Sequence, residues 1–268
     1  MLPTLFLSHG SPVHALGETR ASLGWRELAA RLPRPRAILM TSAHWESELP
    51  MVSTAARPET IHDFGGFPEP LYRIRYAAPG APDVATAALA LLAASRFTAS
   101  GVACRGLDHG AWVPLLHMFP DADIPVTQIS VQTQLDAAHH VRVGRALAPL
   151  ARDGVLIVGS GHLTHNLREF FGRLREPGGG ADPPDRVEPY VGEFSAWIQH
   201  TLESGDDAAL AGWLHAAPHA RRAHPSDEHF LPLPFAYGAA GPHPRVERID
   251  LGIDAGVLAM DAYLFWQR

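Results

Sequence analysis

The sequence lacks lysine, paired cysteines and long apolar runs, and each absence excludes a class of protein. All 22 basic residues are arginine, so no internal lysine can form a Schiff base and no phosphate-binding loop can end in Gly-Lys. The single cysteine, Cys104, cannot form a disulfide within the chain, and a reducing compartment is the simplest expectation. No stretch approaches the ~20 apolar residues that a membrane-spanning helix needs.

The first residues and the net charge narrow the expected setting further. Residues 1–4 show neither the basic nor the apolar region of a signal peptide, so we expect a cytoplasmic protein that does not contact a membrane. The formal net charge is −6 and there is no basic tract, which argues against nucleic acid as a partner. Nothing in the sequence indicates the oligomeric state.

Short apolar runs alternate with amphipathic segments along the chain, and this pattern is typical of an α/β fold. The apolar runs predict strands at 5–7, 37–40, 124–131, 155–158, 245–251 and 257–265. The amphipathic segments predict helices at 22–32, 84–95, 137–152, 187–202 and 206–214, and a helix broken by prolines at 227–237. We expect a single domain over residues 1–268, with a mostly parallel mixed sheet flanked by helices. The Gly- and Pro-rich stretch 176–185 predicts a loop or a lid.

Three predicted strands lead into histidines: His9, His44 and His162, with His165 close behind the last. Parallel strands bring their carboxyl ends to one edge of a sheet, where ligands of open α/β folds bind. A single histidine after a strand is usually a hydrogen-bonded cap or a core residue. Three at equivalent positions predict a shared metal site, and the small residues beside them leave room for an ion and a flat substrate.

Three further segments carry groups that suit such a site. The stretch 224–232 contains the adjacent pair Glu228 and His229. Asp108 and His109 stand before a glycine, where a loop is expected to turn into a helix. The stretch 61–68 combines two aromatics with two glycines, which suits either a loop lining an aromatic pocket or an ordinary turn.

Taken in order, these segments resemble the class III extradiol ring-cleaving dioxygenases, and within them the branch similar to DOPA 4,5-dioxygenase. The matching segments are residues 8–12, 42–45, 61–68, 108–110, 120–125, 159–161 with 165–167, and 228–233. Each is weak alone, but the ordered set is specific and covers nearly the whole chain. The resemblance implies a single-domain α/β fold whose non-haem metal site, at the carboxyl ends of the strands, opens the ring of a small catechol with dioxygen.

The resemblance also implies a role for each histidine. His9 and His44 would be two metal ligands, and the third would come from the pair Glu228 and His229, with His229 favoured. His165 would be the acid–base histidine beside the metal and a fourth ligand in the absence of substrate. His109 would be a second catalytic histidine. Related sequences often carry asparagine in place of His162, whose role is therefore left open.

The ligand type alone does not choose the metal, because neutral imidazole suits Fe(II) and Zn(II) alike. We expect Fe(II) in the active protein, since zinc has no redox chemistry, and zinc can fill the site in isolated protein. Histidine suits the acid–base role because its ordinary pKa of ~6.5 lies near working pH. Candidates for substrate binding are Phe64, Asp108 and Arg168, with Arg73 or Arg75 as further candidates for a carboxylate.

Two other functions fit the same histidines. In a zinc-dependent hydrolase, a zinc-bound water would attack an ester or amide, with His165 or Glu228 as the base. In a metal-binding protein without catalysis, the coordination shell would be saturated and catechols would give no spectral response.

Overall fold

A mixed sheet of eight strands forms the centre of the structure, a computed structural model that describes residues 2–175 and 186–267. The strands are β1 (Thr4–Ser8), β2 (Ala37–Glu46), β3 (Met51–Ser53), β4 (Ser100–Val102), β5 (Val126–Val131), β6 (Val155–Gly161), β7 (Arg245–Ile249), β8 (Ile253–Asp254), β9 (Leu258–Ala259) and β10 (Ala262–Trp266). The helices are α1 (Arg20–Arg31), α2 (Pro82–Ala94), α3 (His109–Met118), α4 (Ala137–Leu147), α5 (Pro149–Arg152), α6 (Leu167–Leu174), α7 (Pro189–Ser204), α8 (Asp207–Ala211), α9 (Trp213–Ala216), α10 (Ala220–Ala223) and α11 (Pro232–Ala239).

The strand order of the large sheet is β4-β3-β5-β2-β6-β1-β10-β7. The four central strands, β5, β2, β6 and β1, run parallel to one another, and antiparallel pairs flank them on both sides. The predicted fold class, an α/β fold with a mostly parallel mixed sheet between helices, is therefore confirmed. Among residues 2–175 and 186–267, no helix combines the length and the apolar character that crossing a membrane requires.

Helices cover both faces of the central strands, which explains why these strands are apolar without alternation. Every residue of β1, β5 and β6 is buried. On one face, Trp25 of α1 and Trp112 of α3 pack against the sheet. Helices α2, α4, α7 and α11 cover the other face. The sheet is thus a rigid support, and groups at the ends of its strands are held in fixed positions.

Prolines explain where the structure departs from the predicted bounds. The predicted helix 137–152 is two helices, because Pro149 lacks the N–H that would continue α4 and instead starts α5. The predicted helix 227–237 begins only at Pro232, which occupies the first turn of α11.

The predicted helix 206–214 is also divided, at Gly212. The predicted strand 257–265 is two strands, since β9 pairs with β8 in a separate small sheet. The predicted loop or lid at 176–185 lies outside the described residues.

Helix α11 follows the pair Glu228 and His229 and packs closely on α4. A Cβ atom added to Gly144 of α4 would lie 2.1 Å from the carbonyl oxygen of Phe235 and 2.8 Å from the amide nitrogen of Ala239. The two helix backbones could not approach this closely if residue 144 had a side chain.

We predict that Gly144→Ala lowers the free energy of unfolding by roughly 1–3 kcal/mol, because the added methyl group must push two packed helices apart. Gly192→Ala is the matched control, since this exposed glycine lies inside α7 with open space around its Cα. The control should be neutral or more stable by about 0.5–1 kcal/mol. Chemical denaturation of both variants measures the difference, and equal stabilities would contradict the close packing.

Candidate metal centre

The carboxyl ends of β1, β6 and β2 meet at one edge of the sheet and bring their histidines together. Ser8 pairs with Gly161, and Ser42 pairs with Ser160, so the three strands end in register. His9 follows β1 directly, and His44 lies near the end of β2, where the pairing with β5 shifts register. Such irregularities re-aim side chains beside functional sites. The predicted convergence of these distant histidines is confirmed.

The side chain of His9 is held in one protonation state by Ser160. The hydroxyl group of Ser160 donates to the carbonyl oxygen of Gly110 over 2.5 Å. Its oxygen also lies 3.0 Å from Nδ1 of His9. Because the only hydroxyl proton is already donated to Gly110, Nδ1 of His9 must be the donor in the second bond. Nε2 of His9 therefore carries a lone pair, as a metal ligand requires.

His44 places its own Nε2 only 3.0 Å from Nε2 of His9. Two nitrogens that each lie about 2.1 Å from one ion, at a right angle, would be about 3 Å apart. Nδ1 of His44 faces the carboxylate of Asp63 at 3.5 Å. The separation between the two Nε2 atoms therefore fits a shared metal ion.

His229 supplies a third nitrogen to the same point. Its Nδ1 lies 3.0 Å from Oε1 of Glu228 and donates to it, while its Nε2 is buried without a hydrogen-bond partner. The ligand atoms of His9, His44 and His229 all lie within 4.8 Å of one another. An unpartnered buried nitrogen is costly, and a metal ion would satisfy it. Oε1 of Glu228 accepts hydrogen bonds from His229 and from the hydroxyl of Ser226. These contacts favour His229 as the ligand.

Gly161 allows the segment that carries His229 to lie directly against β6. A Cβ atom on Gly161 would lie 2.1 Å from the carbonyl oxygen of His229. That same oxygen accepts a hydrogen bond from the backbone N–H of His162 over 2.9 Å. His229 is thus anchored to the strand between the two that carry His9 and His44.

Burial keeps these three imidazoles neutral at pH 7. Burial first, and then the neighbouring histidines, hold the pKa values of His9 and His229 well below the ordinary 6.5. Burial and His109 lower the pKa of His44 to about 4. Neutral imidazole is the form that binds metal, and three nitrogen donors suit Fe(II) or Zn(II). The donor set therefore fits a divalent transition metal.

Asp63 orients His109 beside this cluster. One carboxylate oxygen accepts the backbone N–H of His109 over 2.9 Å, and the other accepts its Nδ1–H over 3.0 Å. Burial alone would raise the pKa of Asp63, but the hydrogen bonds from His109 outweigh it and hold the pKa at about 2. The bond from Nδ1 to this ionised carboxylate fixes the orientation of the His109 ring. Asp63, His44 and His109 form a second set of closely spaced donor atoms.

His165 stacks on the proposed ligand His229. The two rings lie 3.4 Å apart with an angle of 14° between their planes. The backbone N–H of His165 donates to the carbonyl oxygen of Ala223 over 2.7 Å. Burial and His162 lower its pKa well below the ordinary value, so His165 is neutral at pH 7. It belongs to a third set of donor atoms, with Glu228 and His229.

The histidine cluster lies in a cavity of about 470 Å³, a size typical of small-molecule sites. Phe64 and Phe67 line one side, and Phe64 meets the ring of His109 edge-on, with centroids 5.7 Å apart. The apolar face of α6, with Phe170 and Leu174, lines another side. Apolar walls around convergent polar groups suit a flat aromatic molecule.

The structure brings most of the predicted site residues to this cavity. Those that line it are His9, His44, His109, His165, His229 and Phe64. Asp108 instead lies fully buried under the site, where it caps α3 and accepts hydrogen bonds from Ser42, Arg105 and Gln128. Asp108 is therefore absent from the described lining of the cavity. His162 also lines the cavity, and its Nδ1 is buried without a hydrogen-bond partner.

The arginines predicted to meet a substrate lie away from the described lining of the cavity. Arg168 is exposed on α6. Arg73 pairs with Glu69 on the surface. Arg75 donates to the carbonyl oxygens of Tyr72 and Ile74.

Two residues that orient the site were missed by sequence reasoning. Asp63 stands in the predicted aromatic loop, and a carboxylate beside a histidine cluster was the signal that could have identified it. Ser160 stands between two glycines and was interpreted only as a small residue that leaves space. Its role depends on the carbonyl of Gly110, which no local pattern connects to it.

Comparison with known proteins gives a consistent result. The family described as the catalytic LigB subunit of aromatic ring-opening dioxygenase matches residues 3–252. The chain is 42% identical to a 4,5-DOPA dioxygenase extradiol of Beta vulgaris, over 98% of this chain and 96% of that protein. It is 37% identical to a protein of the same name from Escherichia coli K12, over 97% and 93% of the two chains. The crystal structure of an uncharacterized protein from Escherichia coli K12 superposes with a TM-score of 0.81 at 30% identity, covering 98% of this chain and 99% of that one.

We predict that His9→Ala and His44→Ala lose most of the bound metal. Each substitution removes one of the converging nitrogens. Loss of a residue that only hydrogen-bonds to a ligand typically weakens metal binding by about 10–100-fold, and loss of a ligand itself should weaken it more. His165→Ala should retain more metal, because the three converging nitrogens remain. Elemental analysis after anaerobic Fe(II) loading and desalting measures the metal content.

The exposed His200 provides the control, and His200→Ala should keep the full metal content. Full retention of metal by His44→Ala would contradict the ligand assignment.

We further predict that Ser160→Ala weakens metal binding by about 10–100-fold without unfolding the protein, because Nδ1 of His9 loses the acceptor that fixes its tautomer. Competition with a chelator measures the affinity, and replacement of the exposed Ser95 by alanine serves as the control. An unchanged affinity in Ser160→Ala would show that the tautomer of His9 is held by something else.

Proposed function

The chain belongs to the family of catalytic LigB subunits of aromatic ring-opening dioxygenases, and from this premise we propose that it is an Fe(II)-dependent extradiol dioxygenase. It would insert both atoms of dioxygen into the ring of a small catechol. The observation that carries the proposal is the convergence of three neutral imidazoles, His9, His44 and His229, in a cavity with aromatic and apolar walls.

His9, His44 and His229 would hold the ion, and three protein ligands leave further coordination positions open. When bound, Fe(II) would supply Lewis acidity for the two catechol oxygens and the redox chemistry that dioxygen requires. The orphaned Nε2 of His229 and the fixed tautomer of His9 support this assignment, because both present lone pairs at one point.

His165 would accept the phenolic proton of the substrate and later return a proton to an oxygen. Burial keeps this ring neutral at pH 7, so a lone pair is available to accept the proton. Its stacking on His229 supports this role, because the ring would then lie close to an ion held by His229. A positioned acid–base group of this kind typically contributes ~10²–10⁴-fold to the rate.

His109 would be the second histidine that contacts the substrate. Nδ1–H of His109 donates to the ionised Asp63, which orients the ring and would stabilise a positive charge on it. Phe64 packs on His109 and would hold the flat ring of the substrate while excluding water from it.

The zinc-dependent hydrolase remains the alternative that these ligands permit chemically. The family and the full-length relatives favour ring opening, because the proteins they name are aromatic ring-opening dioxygenases. The two functions differ in what they consume, since only ring opening uses dioxygen.

We predict that protein loaded anaerobically with Fe(II) consumes oxygen when mixed with catechols in air and produces a conjugated yellow product. An oxygen electrode and near-ultraviolet and visible spectra record both changes over a panel that includes unsubstituted catechol, DOPA and protocatechuate. Protein loaded with zinc should bind metal but consume no oxygen, because zinc has no redox chemistry.

His165→Ala, loaded with iron, should lose about 10²–10⁴-fold in kcat while keeping metal. His200→Ala should match the unchanged protein. The absence of any response to the whole panel, with iron shown to be bound, would contradict the proposal and favour tests with esters and amides.

A further inference from the structure

The charge of the cavity bears on which catechol it accepts. Apart from histidines, Asp254 is the single ionisable side chain among the described residues that line it. No arginine lines the cavity in the described part of the chain. Away from the proposed metal site, a carboxylate on the ring substituent would therefore meet the like charge of Asp254 and no arginine among the described residues that line the cavity.

Asp254 is held in place by His14. Oδ2 of Asp254 lies 2.9 Å from Nε2 of His14, and Nδ1 of His14 lies 2.8 Å from the hydroxyl of Thr19. The ring of His14 is buried and packs edge-on against Trp25, with centroids 5.6 Å apart. The side chain of Asp254 itself is 27% exposed. His14 thus fixes one carboxylate oxygen, and the other, Oδ1, has no hydrogen-bond partner among the described residues.

The rest of the wall is apolar. Leu167, Phe171 and Leu174 of α6 are 40–46% exposed, although they are large apolar side chains, and all three line the cavity. Val13, next to His14, also lines the cavity and is 41% exposed. Such a surface favours a short hydrocarbon chain over a charged one.

We propose that the cavity selects catechols whose ring substituent carries an ammonium group and no carboxylate, with Asp254 as the specificity-determining residue. This inference rests on the proposed function for the binding of the catechol ring itself. The ammonium group would donate to the carboxylate of Asp254, while the hydrocarbon linker packs against α6. A carboxylate on the same linker would lose its water without gaining a cationic partner.

The test is equilibrium binding of three catechols that differ only in their side chain, measured by calorimetry with zinc-loaded protein. Dopamine carries the ammonium group alone, DOPA carries both groups, and dihydroxyphenylpropionate carries the carboxylate alone. We expect the affinity to fall in that order, with at least about tenfold between the first and the last, equivalent to ~1.4 kcal/mol. Equal affinities or the reverse order would overturn the proposal.

Asp254→Asn should shrink the ratio of dopamine to dihydroxyphenylpropionate affinity to near unity. Asp250→Asn is the matched control, because Asp250 is exposed and pairs with Arg20 at the surface, and it should keep the full ratio. An unchanged ratio in Asp254→Asn would overturn the role of Asp254. Should this variant fail to fold, the order of affinities in the unchanged protein still decides.

Oxygen uptake by iron-loaded protein with unsubstituted catechol distinguishes a failure of the proposed side-chain preference from a failure of the proposed dioxygenase activity. Uptake together with tighter binding of the carboxylate compound would overturn only the side-chain preference. The absence of uptake, with iron bound, would count against the dioxygenase itself.

Discussion

Crowding of several buried imidazole rings at one sheet edge is the constraint on which the rest of the site depends. Rings packed this closely repel one another when protonated, and burial removes the water that would stabilise their charge. They therefore stay neutral, as the lowered pKa values of His9, His44 and His229 indicate. A neutral imidazole has one N–H and one nitrogen with a lone pair. The N–H needs a hydrogen-bond acceptor, and the other nitrogen can then coordinate a metal ion.

The surrounding fold supplies that acceptor for three of the rings. Ser160 takes the N–H of His9, Glu228 takes that of His229, and Asp63 takes that of His109. These acceptors come from a strand, from the segment before α11 and from a surface loop, so the orientation of the cluster depends on the whole domain being folded. Replacing an outer partner is therefore expected to affect the metal rather than the fold. The same logic explains why Gly161 matters, since it sets how closely the segment with His229 approaches β6.

The convergence of the histidines could be predicted from the sequence because it follows from a general property of parallel sheets. Apolar runs that end in His9, His44 and His162 are visible locally, and the sheet supplies the rest. The acceptors could not be predicted in the same way, because Ser160 acts through the carbonyl of Gly110, 50 residues distant in sequence. The position of Asp108 also escaped prediction. A buried carboxylate that caps α3 and an active-site carboxylate have the same local sequence, and only the partners Ser42, Arg105 and Gln128 distinguish them.

The residues proposed for ring opening and the residue proposed to recognise the substituent of the substrate lie in different parts of the fold. Family membership therefore bears on the proposed metal site more than on the choice of substituent. His9 and His44 stand at the ends of central strands and His229 is anchored to β6, while the chain as a whole is 37–42% identical to the named relatives. The remaining walls of the cavity come from α6, the short helix Pro12–Leu16 and the small sheet of β8 and β9, all outside the central sheet. Loops and peripheral elements vary more readily than the strands they join. A chain can therefore keep the metal site proposed for its family and still differ from its relatives in the charge of the substituent it accepts, because on our proposal that charge would be recognised by Asp254 and not by the metal ligands.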